Sequence, residues 1–257
     1  MMRKRFVGVG MMLLATSIAG CGSDDDDASS TDEYCNMSFE IETVGEPEVD
    51  FETASEEEIV EASKAFASDK ILPLANKLQA AAPDEIADDV KVGVAAATEL
   101  AETGDFETAF GKPEVDEALD RLHAFDLKEC GWQTVNVSGV DYAFEGVPQE
   151  VNPGKTSFEF KNNGQELHEM IIFRRNDGVT EPILELLELP QEQVETKVTF
   201  VAAAFGEPGS NEYGIADLQK GEYAMLCFIA VGTTSPETEG SGPPHFVEGM
   251  VTEFTVK

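Results

Sequence analysis

Positive charge is what this chain has least of. Of its 257 residues only 17 are lysine or arginine, against 51 aspartates and glutamates, for a formal charge of −34. Phosphate backbones are gripped by Lys and Arg, so nucleic acid is excluded as a partner. Charge alone will not hold such a surface to an anionic membrane either. Residues 6–19 are an apolar run of 14, short of the roughly 20 that a transmembrane helix needs. Histidine is scarce, with His123, His168 and His245 as the whole supply, and cysteine occurs four times, at Cys21, Cys35, Cys130 and Cys227. With 42% hydrophobic residues there is still enough apolar material for one or two cored domains.

Arg3, Lys4 and Arg5 precede the apolar run, which ends Ile18-Ala19-Gly20-Cys21. This order reads as an export signal over residues 1–20. Its end resembles the lipobox of prokaryotic lipoproteins, which implies acylation of Cys21 as the new N-terminus. The expected location is therefore extracytoplasmic, lipid-anchored to the cell-envelope membrane. Residues 21–33 hold four consecutive aspartates and nothing apolar larger than alanine from Gly22 to Glu33. They cannot bury a core and are expected to be a disordered acidic tether.

Residues 34–132 have helical periodicity. Ser55 with Glu58 three residues on fits a capping box. Ile59, Phe66 and Leu72 or Ala75 follow at near-helical spacing. Pro83-Asp84-Glu85 opens a second helix whose apolar stripe is Ile86, Val90, Val94, Ala97 and Ala101, with Gly104 as its stop. A third begins near Pro113, with Val115, Leu119 and Leu122 on one face. Cys35 precedes the helices and Cys130 follows them, so an exported chain is expected to clasp the unit with a Cys35–Cys130 bridge. Cys227 is then left free. The acidic residues here are too numerous to single out a catalytic pair.

Residues 133–257 change to strands. Val135, Val137 and Val140 lead; Pro153-Gly154-Lys155 and Asn162-Asn163-Gly164 are turns; residues 167–173 form an apolar strand with His168 near its start. A short helix over 181–189 interrupts, and strands follow over 198–205 and up to Cys227. About seven short strands separated by turns predict an all-β sandwich. The last segment delivers Cys227 on Gly221-Glu222-Tyr223-Ala224-Met225-Leu226, then Pro244-His245 and Gly249-Met250-Val251. Cys, His and Met are the soft and borderline donors that suit copper.

Here residues 140–257 resemble a cupredoxin, the plastocyanin-like Greek-key sandwich of the blue, or type 1, copper proteins. The Pro-His, Gly-Met and Thr255-Val256 frames match, as do Val151, Gly154, Phe158 and Asn163 upstream. The resemblance implies one copper ion held by His168, Cys227, His245 and Met250, with the first three in a plane and the thioether axial. It also implies single-electron exchange with a redox partner protein, and an apolar rim of Phe228, Phe246 and Val247. Cupredoxin enzymes use a second copper centre with extra histidines, and only His123 remains, so no enzyme is expected. Two alternatives stay open: a metal-free surface or structural module, and a copper storage or delivery protein. One departure from the family is plain. Seventeen residues, 228–244, rich in glycine and proline, separate Cys227 from His245 where the family has a few, and so long a segment is expected to hold His245 less rigidly.

Overall fold

A computed structural model describes residues 30–51, 53–236 and 238–257. The expected signal segment, Cys21 and residues 21–29 of the tether lie outside the described residues. The chain divides into two compact units, one ending at Gly131 and one running from Trp132 to Lys257.

The first unit is helical: α1 Ser30–Glu42, α2 Glu56–Phe66, a π turn Ala67–Ile71, α3 Leu72–Ala81, α4 Ala87–Thr103, α5 Phe106–Phe110 and α6 Pro113–Glu129. The Ser55–Glu58 capping box starts α2. The π turn sits just before Pro73, whose ring crowds the preceding turn and whose nitrogen has no hydrogen to give. Gly104 ends α4 with φ 67° and returns its N–H to the Leu100 carbonyl, a left-handed conformation that costs glycine nothing. Helix α1 corrects the expected tether, because residues 30–33 are its first turn. Tyr34 is fully buried, and with Cys35 it joins Leu78, Ile86, Val90, Leu122 and Phe125 in the core. Asp32 and Glu33 suit the positive end of the helix that carries those anchors. Cys35 and Cys130 are bonded, with their Cα atoms 5.3 Å apart.

The second unit is the expected two-sheet Greek-key sandwich. Its strands are β1 Gln133–Val140, β2 Ala143–Glu145, β3 Glu150–Val151, β4 Gly154–Asn162, β5 His168–Arg175, β6 Val198–Gly206, β7 Asn211–Leu218, β8 Gly221–Leu226 and β9 Val251–Val256. One sheet has the order β2-β1-β4-β7 and the other β3-β9-β8-β5-β6. Most neighbours are antiparallel, but β1 with β4 and β3 with β9 are parallel. Short helices α7 Ile183–Leu186 and α8 Gln191–Val194 lie in the β5–β6 connection.

Alternation explains the core. Val135 and Val137, Phe158 and Phe160, Met170 and Ile172, Tyr223 and Met225, Phe254 and Val256 each sit two apart, and all are buried together between the sheets. The period of two carries two further residues onto the same inward face. His168 precedes Met170 by two, and Cys227 follows Met225 by two. Strands β5 and β8 are hydrogen-bonded neighbours, with Ile171 opposite Leu226, so the sheet itself brings the histidine and the thiol to one end of the core.

Candidate metal centre

His245 arrives from the other side of β8. It opens a 3₁₀ turn, His245–Glu248, that Gly249 closes with φ 116°. Backbone bonds tie this turn to the strand end. His245 N–H donates to the Ile229 carbonyl (2.8 Å), Phe246 N–H to the Cys227 carbonyl (2.9 Å), Met250 N–H to the His245 carbonyl (3.0 Å), and Cys227 N–H to the Met250 carbonyl (3.3 Å). The three donor residues and Met250 are each 0% exposed.

His168, Cys227 and His245 converge with their ligand atoms within 4.8 Å of one another. The two Nδ1 atoms are 3.0 Å apart, and the Cys227 sulfur is 3.3 Å from His245 Nδ1. With bonds of roughly 2.0 Å to nitrogen and 2.3 Å to sulfur, donors this close together could hold one ion between them. Two imidazoles and a cysteine sulfur are donors that suit copper. Met250 is buried beside these residues and bonded to two of them through its backbone. His123 lies in the helical unit and takes no part.

The far side of each imidazole meets a carboxylate. His168 Nε2 lies 3.0 Å from Asp141 Oδ1 and His245 Nε2 lies 3.1 Å from Glu166 Oε2. Burial alone would raise both acids. The hydrogen bonds Asp141 receives from the Gln165 and Glu166 N–H groups and from His168 hold it below the ordinary range. Those from Gly232 N–H, Tyr142 hydroxyl and His245 do the same for Glu166. Both are therefore ionised acceptors, so each Nε2 carries the hydrogen and each Nδ1 presents a lone pair. Burial lowers the basicity of both histidines, which disfavours a shared proton between the two nitrogens.

The thiol is pushed up to about 12, first by burial and then by the negative charge of Glu169. Glu169 is itself pushed up to about 7 by burial, although it accepts the Phe228 N–H. A bound cation reverses this balance, because a coordinating thiol is deprotonated outright.

The 17-residue segment expected to weaken the site folds back on itself. Val231 N–H donates to the Pro243 carbonyl (2.9 Å), Gly242 N–H to the Val231 carbonyl (3.0 Å) and Leu167 N–H to the Thr233 carbonyl (2.8 Å). Thr233 is 7% exposed. A Cβ at Gly240 would fall 2.2 Å from the Val231 carbonyl oxygen, so only glycine lets the two limbs touch. Around the site, Phe228 and Phe246 are half-buried and stacked edge to face, with ring centroids 5.2 Å apart, and Val247 is exposed.

Sequence reasoning missed Asp141, Glu166, Glu169 and Gly164. With 51 acidic residues, no composition signal separates three of them. Gly164 was read as a turn residue, and its second role is steric. A Cβ there would lie 2.3 Å from Asp141 Oδ1 and 2.5 Å from His168 Nε2.

No family model matches the chain, and no curated protein matches it. Solved structures do. An auracyanin from Roseiflexus castenholzii shares 20% identity, with 49% of this chain and 97% of that one covered and a TM-score of 0.32. The blue copper protein auracyanin A from Chloroflexus aurantiacus shares 17%, covering 49% and 100% with a TM-score of 0.32. Rusticyanin from Thiobacillus ferrooxidans shares 17%, covering 49% and 78% with a TM-score of 0.29. A copper nitrite reductase from Thermus scotoductus is similar over 31% of its own chain, at 12% identity and a TM-score of 0.28. By its two-sheet Greek-key order and its buried His-Cys-His cluster, the C-terminal unit of this chain is cupredoxin-like.

Proposed function

We propose that the C-terminal unit binds one copper ion, which His168, Cys227, His245 and Met250 would hold, and exchanges single electrons. The observation that carries this reading is the convergence of two imidazole lone pairs and a thiol in a fully buried space. Each imidazole already gives its hydrogen to a carboxylate, so two bare Nδ1 atoms face each other at 3.0 Å. A cation between the two nitrogens would relieve that arrangement.

Copper held there would supply a one-electron couple. The chain's contribution is to keep the donors still and dry. Strands β5 and β8 hold His168 and Cys227, and the backbone bonds between residues 227, 245 and 250 hold the other two. Such a frame leaves little room for rearrangement between oxidation states. Exposed Val247 with the edges of Phe228 and Phe246 forms the surface on which a redox partner protein would dock. Export and lipid attachment at Cys21 belong to the same reading, and place the domain outside the cytoplasm on a lipid anchor.

Adding Cu(II) to the purified chain is expected to produce an intense thiolate-to-copper absorption that ascorbate bleaches and Cys227→Ser removes. A colourless protein without bound copper refutes the reading. Copper bound as Cu(I) without the colour or a reversible couple points to storage or delivery instead. Mass spectrometry of the membrane fraction checks the diacyl group on Cys21, and its absence refutes the anchor.

A further inference from the structure

Behind the two histidines stands a pair of carboxylates whose hydrogen bonds reach further than the metal ligands. Asp141 Oδ1 faces His168 Nε2 and also accepts the backbone N–H groups of Gln165 (3.0 Å) and Glu166 (3.4 Å). Glu166 Oε2 faces His245 Nε2 and accepts the Gly232 N–H (2.6 Å), while its Oε1 accepts the Tyr142 hydroxyl (2.8 Å). Every partner is a donor, so both groups serve as charged acceptors. Their side chains are 28% and 16% exposed. Gly164 is what lets Asp141 and His168 meet.

Two consequences follow. Fixing the hydrogen on Nε2 leaves Nδ1 as the ligating atom of each ring before any metal arrives. Fixed negative charge beyond each ring also favours the more highly charged form of whatever ion the rings hold. Glu166 has a third effect. One of its oxygens binds both His245 and Gly232, and Gly232 belongs to the 17-residue segment between Cys227 and His245. The other oxygen holds Tyr142, whose ring packs on His245 with centroids 4.9 Å apart. A single side chain thus joins the ligand, the loop that carries it and the β1–β2 turn.

We propose that Asp141 and Glu166 are positioning residues that bias the site toward Cu(II) over Cu(I), and that Glu166 is the clamp that makes the long loop rigid. The bias half rests on the copper reading given above; the clamp half does not.

The test uses the whole chain, wild type and with Asp141→Asn, Glu166→Gln or Glu166→Ala. Chelator competition measures Cu(II) and Cu(I) affinity separately, and backbone hydrogen exchange is followed at Gly232 in metal-free protein. Glu166→Gln keeps an acceptor for Gly232 and His245 and removes only the charge. Each amide variant is expected to lose about 10–100-fold in Cu(II) affinity and less in Cu(I) affinity. The midpoint potential then rises by about 59 mV for every tenfold change in their ratio. Glu166→Ala is expected to speed exchange at Gly232 by about tenfold or more, since a hydrogen bond to a charged group is lost, while Glu166→Gln changes it little. Equal losses for both ions, or none, overturn the bias, because a merely structural role weakens both alike. Wild-type exchange at Gly232 in Glu166→Ala overturns the clamp. A wild-type chain that binds neither ion overturns the copper reading and the bias with it, and the exchange result then decides the clamp by itself.

Discussion

Breaking the Cys35–Cys130 bridge is expected to unfold the helical unit under conditions where the sandwich stays intact. The bridge spans 95 residues. In the chain-entropy model, closing a loop of that length removes enough freedom from the unfolded chain to stabilise the fold by about 4.7 kcal/mol. A small domain typically has about 5–15 kcal/mol in total, so the bridge accounts for a large share. The apolar groups of this unit support that view, because many are small: Ala67, Ala75, Ala81, Ala96, Ala97, Ala109 and Ala118 all lie in its interior. The perturbation is Cys35→Ala with Cys130→Ala, compared with wild type by urea titration of the helical circular-dichroism signal. With a urea dependence of about 2 kcal/mol per molar, the midpoint should fall by about 2 M. A fall below about 0.5 M would falsify the reasoning. It would mean that the denatured chain is already compact enough for the bridge to constrain little.

Two further outcomes are expected. Gly164→Ala places a Cβ where Asp141 and His168 now meet; the His168 Nε2–H resonance should shift or exchange away in metal-free protein, and an unchanged resonance refutes the steric role. Asp126 is 2% exposed, and burial pushes it up to about 6 despite the hydrogen bond from Ser38. A carboxyl raised in the folded state favours the protonated fold, so its contribution is complete below pH about 4 and is lost as pH climbs through about 6. At roughly 1.4 kcal/mol per unit that is about 3 kcal/mol. The urea midpoint of the helical unit in wild type should fall over that interval relative to Asp126→Asn, and parallel profiles refute the assignment.

What was legible in the residues was what neighbours along the chain decide. Ser55 and Glu58 cap each other across three residues, and Gly104 stops a helix because no other residue takes its φ so cheaply. His168 near the start of the apolar run 167–173, and Cys227 at the end of the strand opened by Gly221, put a ligand type on each of two strands. Helix α1 was misread because the acidic, small residues up to Glu33 hide the anchors Tyr34 and Cys35 that follow, and a helix needs a lead-in turn of whatever composition. The long loop was read as loose because its glycines and prolines were counted as freedom. In the fold, Gly240 and Gly242 are the places where two limbs close on Val231.

The sequence by itself determined the two-part organisation, the strand period and the supply of donor atoms. The resemblance of the surrounding frames to a cupredoxin implied His168, Cys227, His245 and Met250 as ligands, and the scarcity of histidine and free cysteine agrees with that set. Only the tertiary structure decided which of 51 acidic residues matter and how the loop is held. Asp141 and Glu166 are 27 and 79 residues from the histidines they face. Such pairings depend on the closing of the sandwich, on the missing side chain at Gly164 and on the path of residues 228–244, and none of these is a local property of the chain.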